Sequence, residues 1–185
     1  MIIDGFFLFT GTSNGASGGI TSTANTDAPT IGTQDSSNIV DIGVKSGVPS
    51  SAAGGGARDL GIGDKPGLKV LIQVTTAFTG GTSLQAQIQG APDNGVGAPG
   101  TWYPFWTSQA IAEAALQPGA DIGNIFMPQP EPGQPMPRFL KVTFISVGTH
   151  TAGQVEAAIV LDQISQVQSA TGQLSGYPAG LTVAN

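Results

Sequence analysis

Leu68-Lys69-Val70-Leu71-Ile72-Gln73-Val74-Thr75-Thr76-Ala77-Phe78, then Thr79-Gly80-Gly81, then Thr82-Ser83-Leu84-Gln85-Ala86-Gln87-Ile88-Gln89, is the stretch that decides the fold class. In the first run Leu68, Val70, Ile72, Val74 and Phe78 are apolar, while the positions between them are mostly polar. That period of two belongs to a strand with one face in a core. In the second run Leu84, Ala86 and Ile88 alternate with glutamines. Gly80-Gly81 predicts a hairpin turn between the runs, because glycine reaches positive φ at no steric cost.

Working outward, the same period recurs in Arg138 to Val147 and in Val155 to Asp162, either side of Gly148. Leu140, Val142 and Phe144 share one face, so Lys141 and Thr143 are expected to be exposed. Ile159 and Leu161 join Val70, Ile72, Val74, Leu84, Ile88, Val142 and Phe144 in the expected core. Weaker strand signals are Met1 to Phe9, Asn38 to Val44, Trp102 to Trp106 and Asp121 to Met127. Pro104 cannot donate to a ladder, which makes the fourth of these pieces' neighbour, 102–106, an edge or bulged strand. Ile111 to Leu116 reads as strand or helical turn, with strand favoured by its surroundings. About eight strands joined by turns predict an all-β protein, an antiparallel β-sandwich of jelly-roll type.

Composition agrees. The 185 residues include 28 glycines and 13 prolines, against a typical combined share of about 12%. Charged residues are 10%, too few to coat the wet faces of a helical bundle, and the 39% apolar content argues against a charged disordered tail. With six Lys plus Arg and a net charge of −6, there is no basic stripe for nucleic acid. No apolar run approaches the roughly 20 residues of a membrane helix. The apolar N-terminus carries Asp4 and lacks a basic start, which reads as a strand rather than a signal peptide and predicts a soluble, unexported chain.

Two stretches carry no period: 10–37 and 45–57, rich in Gly, Ser, Thr and Ala. They read as long insertions in a domain spanning 1–162, and 163–185 reads as an extended C-terminal arm. Ile20, Ile31, Leu174, Tyr177 and Leu181 are the apolar residues by which these segments would bury themselves against a neighbour. The run 128–137 holds five prolines and is extended or turn-like, either a rigid loop or a ligand for a proline-recognition domain.

Chemistry is sparse. His150 is the single histidine, without a G-x-S-x-G elbow to serve, and reads as an exposed turn residue. With no cysteine and scattered acids, no metal site, cofactor site or catalytic residue is assigned. The aromatic group Trp102, Tyr103, Phe105 and Trp106 is open to three readings: core, protein interface, or a stacking platform for sugars.

Met1-Ile2-Ile3-Asp4 with its apolar continuation, Asn38-Ile39-Val40-Asp41-Ile42-Gly43 followed by Arg58-Asp59-Leu60-Gly61-Ile62-Gly63, the strand pair Leu68 to Gln89, and the closing Arg138-Phe139-Leu140-Lys141-Val142 and Thr151-Ala152-Gly153…Val160-Leu161-Asp162 form an ordered set. In that order they resemble the capsid cement, or decoration, proteins of short-tailed bacteriophages. The resemblance implies a jelly-roll domain on the outer face of a phage head, assembled in the host cytoplasm. It implies contact with the major capsid protein, a homo-oligomer (dimer, with trimer as alternative), and no enzymatic activity. A carbohydrate- or receptor-binding module of a phage tail or fibre is the other reading, using Trp102, Tyr103 and Trp106.

Overall fold

The structure, a computed structural model, describes residues 7–12, 20–43, 68–128 and 130–161. Its nine strands are β1 (Thr21–Thr23), β2 (Thr26–Ala28), β3 (Gly32–Asp35), β4 (Val40–Asp41), β5 (Leu68–Ala91), β6 (Tyr103–Thr107), β7 (Ile111–Ala112), β8 (Asp121–Phe126) and β9 (Phe139–Leu161). The strand pairings among the described residues are antiparallel, and Glu113–Ala115 form a 3-10 turn. The protein is all-β, as the alternation predicts.

The hairpin at Gly80-Gly81 does not form. Both runs belong to the single strand β5, and each pairs with β9 rather than with the other. Leu68 lies opposite Leu161, Val74 opposite Val155, Ser83 opposite Val147 and Ala91 opposite Phe139. The expected strands either side of Gly148 are likewise one strand, β9. Local glycines permit a hairpin, but a two-stranded ribbon with strands of 24 and 23 residues buries the apolar face of both runs at once.

The ribbon folds over on itself. Its register breaks four times between Val74 and Ser83, and there both strands turn the corner from one layer to the other. In the first layer the early half of β5 and the late half of β9 are flanked by β8 and by β2 with β1. In the second, the late half of β5 and the early half of β9 are flanked by β6 and β7 and by β3 and β4. Between the layers lie Val70, Ile72, Val74, Leu84, Ile88, Leu140, Val142, Phe144, Val155 and Ile159, in one buried cluster. Burying each such side chain fully contributes about 1.5–3 kcal/mol.

The corner explains His150, which is 2% exposed rather than a solvent-facing turn residue. Its ring meets Phe78 edge-on at 5.0 Å, and Nε2 lies 3.3 Å from the Ser83 carbonyl. Two glycines make the room. A Cβ on Gly81 would stand 2.1 Å from the His150 ring, and one on Gly153 would stand 2.3 Å from Phe78. The bends carry a residue from a sequence turn into the interior of the fold.

Lys141 and Thr143 are also buried, contrary to the alternation. Asp35 of β3 accepts from Lys141 Nζ and Thr143 Oγ1, both at 2.7 Å, and the Trp102 ring lies 4.5 Å from the Lys141 ammonium. A neighbouring strand and a ring thus cover the outward face at this point.

The stretch 10–37, expected as an insertion, supplies β1, β2 and β3 where it is described. Buried Asp27 gathers the stretch, its carboxylate accepting from Gly11 N–H (2.9 Å), Ser37 N–H (2.8 Å) and Ser37 Oγ (2.6 Å), while its backbone pairs with Val155 of β9. Ile20, expected to bury itself against another chain, sits in this protein's own core. Of the expected first strand, Leu8 makes an isolated bridge to Ala158 and packs with Ala158, Val160 and Leu71 outside the first layer. The segment 45–57, the arm 163–185, its residues Leu174, Tyr177 and Leu181, and the side chain of Leu161 lie outside the described residues.

Candidate protein-interaction surface

The aromatic group is divided by the fold. Trp106 reaches across the sandwich from β6, and its ring occupies the space a Cβ on Gly123 of β8 would take, 2.8 Å away. Trp106 and Phe105 both pack against the main core. Tyr103 donates its hydroxyl to the Pro135 carbonyl, and its ring stacks at a tilt on Phe105 at 5.2 Å. Desolvation raises the Tyr103 phenol above its ordinary pKa. Trp102 is half-buried over Lys141. Each ring therefore has an internal partner, and Tyr103 fastens the proline-rich loop, which turns at Pro132–Gly133 with Gln134 N–H on the Glu131 carbonyl.

Apolar side chains reach solvent instead at the two ends of the ribbon. At the corner, Ile31 is 57% and Val147 is 53% exposed. Because Gly32 pairs with Ser146 in antiparallel register, these two lie across from one another. At the opposite end, Ile39, Val96 and Met136 are exposed. Ile39 precedes Val40, the partner of Leu140, so along β9 the two ends are roughly 20 Å apart at about 3.3 Å per residue. Ile31 was visible as a candidate in the sequence. Val147, Ile39, Val96 and Met136 were not, because an apolar residue in a strand or loop shows no sign of which face the neighbouring elements leave open.

Charge at the second end is organised by Arg138. Its guanidinium donates to both oxygens of Asp41 (2.9 Å each) and to Asp93, and lies over the Phe139 ring at 4.8 Å. Hydrogen bonding to Asp41 holds the Arg138 pKa above its ordinary value. The Asp93 carboxyl is held below its usual range, chiefly by the Gly95 and Gly97 N–H groups and then by Arg138. All three described cations lie over aromatic rings: Lys69 on Phe126, Arg138 on Phe139 and Lys141 on Trp102. The arrangement offers two apolar ends, the second of which carries Asp41 and Asp93 around Arg138. Among the described residues no group of three or more His, Cys, Asp or Glu is placed to hold a metal ion.

The family model Bbp16 matches residues 21–159, the span from β1 almost to the end of β9. The chain belongs to the Bbp16 family. This is a phage-associated family, and the match covers both layers of the sandwich and the ribbon that joins them. No curated protein matches the chain. Membership in the Bbp16 family agrees with the phage origin implied by the sequence resemblance.

Proposed function

We propose that this Bbp16-family protein is a structural virion component, a capsid cement protein on the outer face of the phage head. It bridges neighbouring major capsid protein subunits and catalyses no reaction. The observation that carries this reading is the pair of exposed apolar sites, Ile31 with Val147 and Ile39 with Val96 and Met136, at opposite ends of a folded ribbon. A bridging protein needs separated contact points on a body that transmits force between them. A ribbon hydrogen-bonded from Leu68–Leu161 to Ala91–Phe139 is such a body. A homo-oligomer, a dimer or else a trimer, fits the outer edges of β1 and β8, which pair with no further strand among the described residues.

The tail-module reading draws less support. It needs a flat exposed aromatic platform, whereas Trp102, Tyr103 and Trp106 have partners within the protein. Titrating the purified full chain onto undecorated phage heads tests the cement reading. Saturable binding with a raised disruption temperature of the heads is expected. Absence of binding at micromolar protein refutes it.

A further inference from the structure

Resting on the cement reading, we propose that the loop 92–100 is the docking finger for the coat subunit, with Val96 entering an apolar socket rimmed by lysine or arginine. Val96 is 84% exposed, more than any other large apolar residue described. Scattered exposed apolar residues are ordinary on any surface. What sets Val96 apart is the frame that holds it.

Asp93 Oδ1 accepts from Gly95 N–H (2.8 Å) and Gly97 N–H (3.0 Å), while Asn94 Oδ1 accepts from Val96 N–H (3.0 Å) and Ala98 N–H (3.3 Å). Asn94 N–H reaches the Ala98 carbonyl (3.0 Å), and Gly100 N–H reaches the Pro92 carbonyl (2.8 Å). Gly95 and Gly97 stand at φ of 95° and 81°, the left-handed region, so the chain on both sides of Val96 is turned as only glycine turns readily. Arg138 then ties Asp93 to Asp41 of β4. The loop is frozen around a side chain that contributes nothing to the core. Freezing a contact residue in advance lowers the entropy lost on association, which is what a docking element gains from such a frame.

The surroundings choose the occupant. Ile39 lies two residues before Asp41 and Met136 two before Arg138, so exposed apolar groups flank this ion pair along both chain segments. Against one Arg138 stand Asp41 and Asp93, and exposed Glu131 lies in the loop leading to Arg138. Two copies meeting through this end would bring like charges together, in a chain of net charge −6. A coat surface offering cations around an apolar pocket is complementary.

Binding of the full chain to undecorated heads, followed by co-sedimentation, supplies the test. Val96→Ser should bind at least about tenfold more weakly, because a hydroxyl must be desolvated in the socket and the valine's apolar burial is lost. Its melting temperature should match the wild type, since Val96 packs on nothing. Wild-type affinity should fall severalfold between about 0.05 M and about 0.5 M salt, as screening weakens the charged rim. If the wild type binds and Val96→Ser binds equally well, the docking inference is overturned and the cement reading stands. Salt-independent wild-type binding overturns the cationic rim. If the wild type does not bind at all, both readings fall.

Discussion

Asp27 shows how much one residue carries. Burial pushes its carboxyl above the usual range, against the opposing effect of hydrogen bonds from Ser37 Oγ and from the Gly11 and Ser37 N–H groups. The Ser37 hydroxyl has a single proton but lies within reach of two acceptors, Asp27 Oδ1 at 2.6 Å and the Gly11 carbonyl at 3.0 Å. Burial is the larger effect, so the neutral carboxyl is favoured in the folded protein. The folded state therefore holds this proton at higher pH than the unfolded chain does. Its contribution to stability is present at low pH and is lost as pH rises through the raised folded value. Glu156, raised by burial, acts in the same direction, whereas Asp93, lowered, contributes stability that is lost as pH falls. In urea melts, the stability advantage of wild type over Asp27→Asn should widen from about pH 7 to about pH 4.5. Asp27→Ala should cost about 2–4 kcal/mol by stranding buried donors. A wild-type advantage over Asp27→Asn that is constant across this range would exclude the proton-linked role.

At the scale of elements, the ribbon replaces the hairpin, and cysteine pairs separate the two. The chain has no cysteine of its own. Thr76 and Gln154 are paired across β5 and β9, with Oγ1 and Oε1 3.1 Å apart. A Thr76→Cys, Gln154→Cys variant should oxidise to an intramolecular disulfide within the native fold. A hairpin closed at Gly80-Gly81 would instead place Thr76 opposite Gln85, so Thr76→Cys with Gln85→Cys should stay reduced. Peptide mapping of the oxidised proteins reads both outcomes. The local alternation was legible in each half of β5, and the period continues correctly on both sides of the corner. What sequence reasoning missed is that Gly81 and Gly153 are there to admit the His150 and Phe78 rings, a requirement set by the facing strand.

For the whole molecule, the defining contacts are remote in sequence. Leu68 pairs with Leu161, and Asp27 with Val155 and Gln34 with Phe144 fasten the early segment to β9. Closing such long loops before any contact repays the entropy is slow, so refolding on the order of milliseconds to seconds is expected. Tryptophan fluorescence in stopped-flow dilution from urea measures it, because Trp106 reaches Gly123 only when the two layers meet. Complete signal recovery in microseconds would contradict a ribbon that must zip over this span.

Alternation in the amino-acid sequence is enough to show that the protein is all-β and which side chains of its two long strands face the core. Val70, Ile72, Val74, Leu84, Ile88, Val142, Phe144 and Ile159 are buried as their alternation requires. Those properties are local, since a side-chain period of two is imposed by the pleat of each strand alone. Tertiary structure alone decided the partner of each strand, the burial of His150, Lys141 and Thr143, and the turning inward of Trp106. It also decided which apolar residues, Val96 and Val147 among them, were left facing solvent. Each of these depends on what lies across the sheet or at its edge, and a neighbour brought in by another strand leaves no mark on the local pattern.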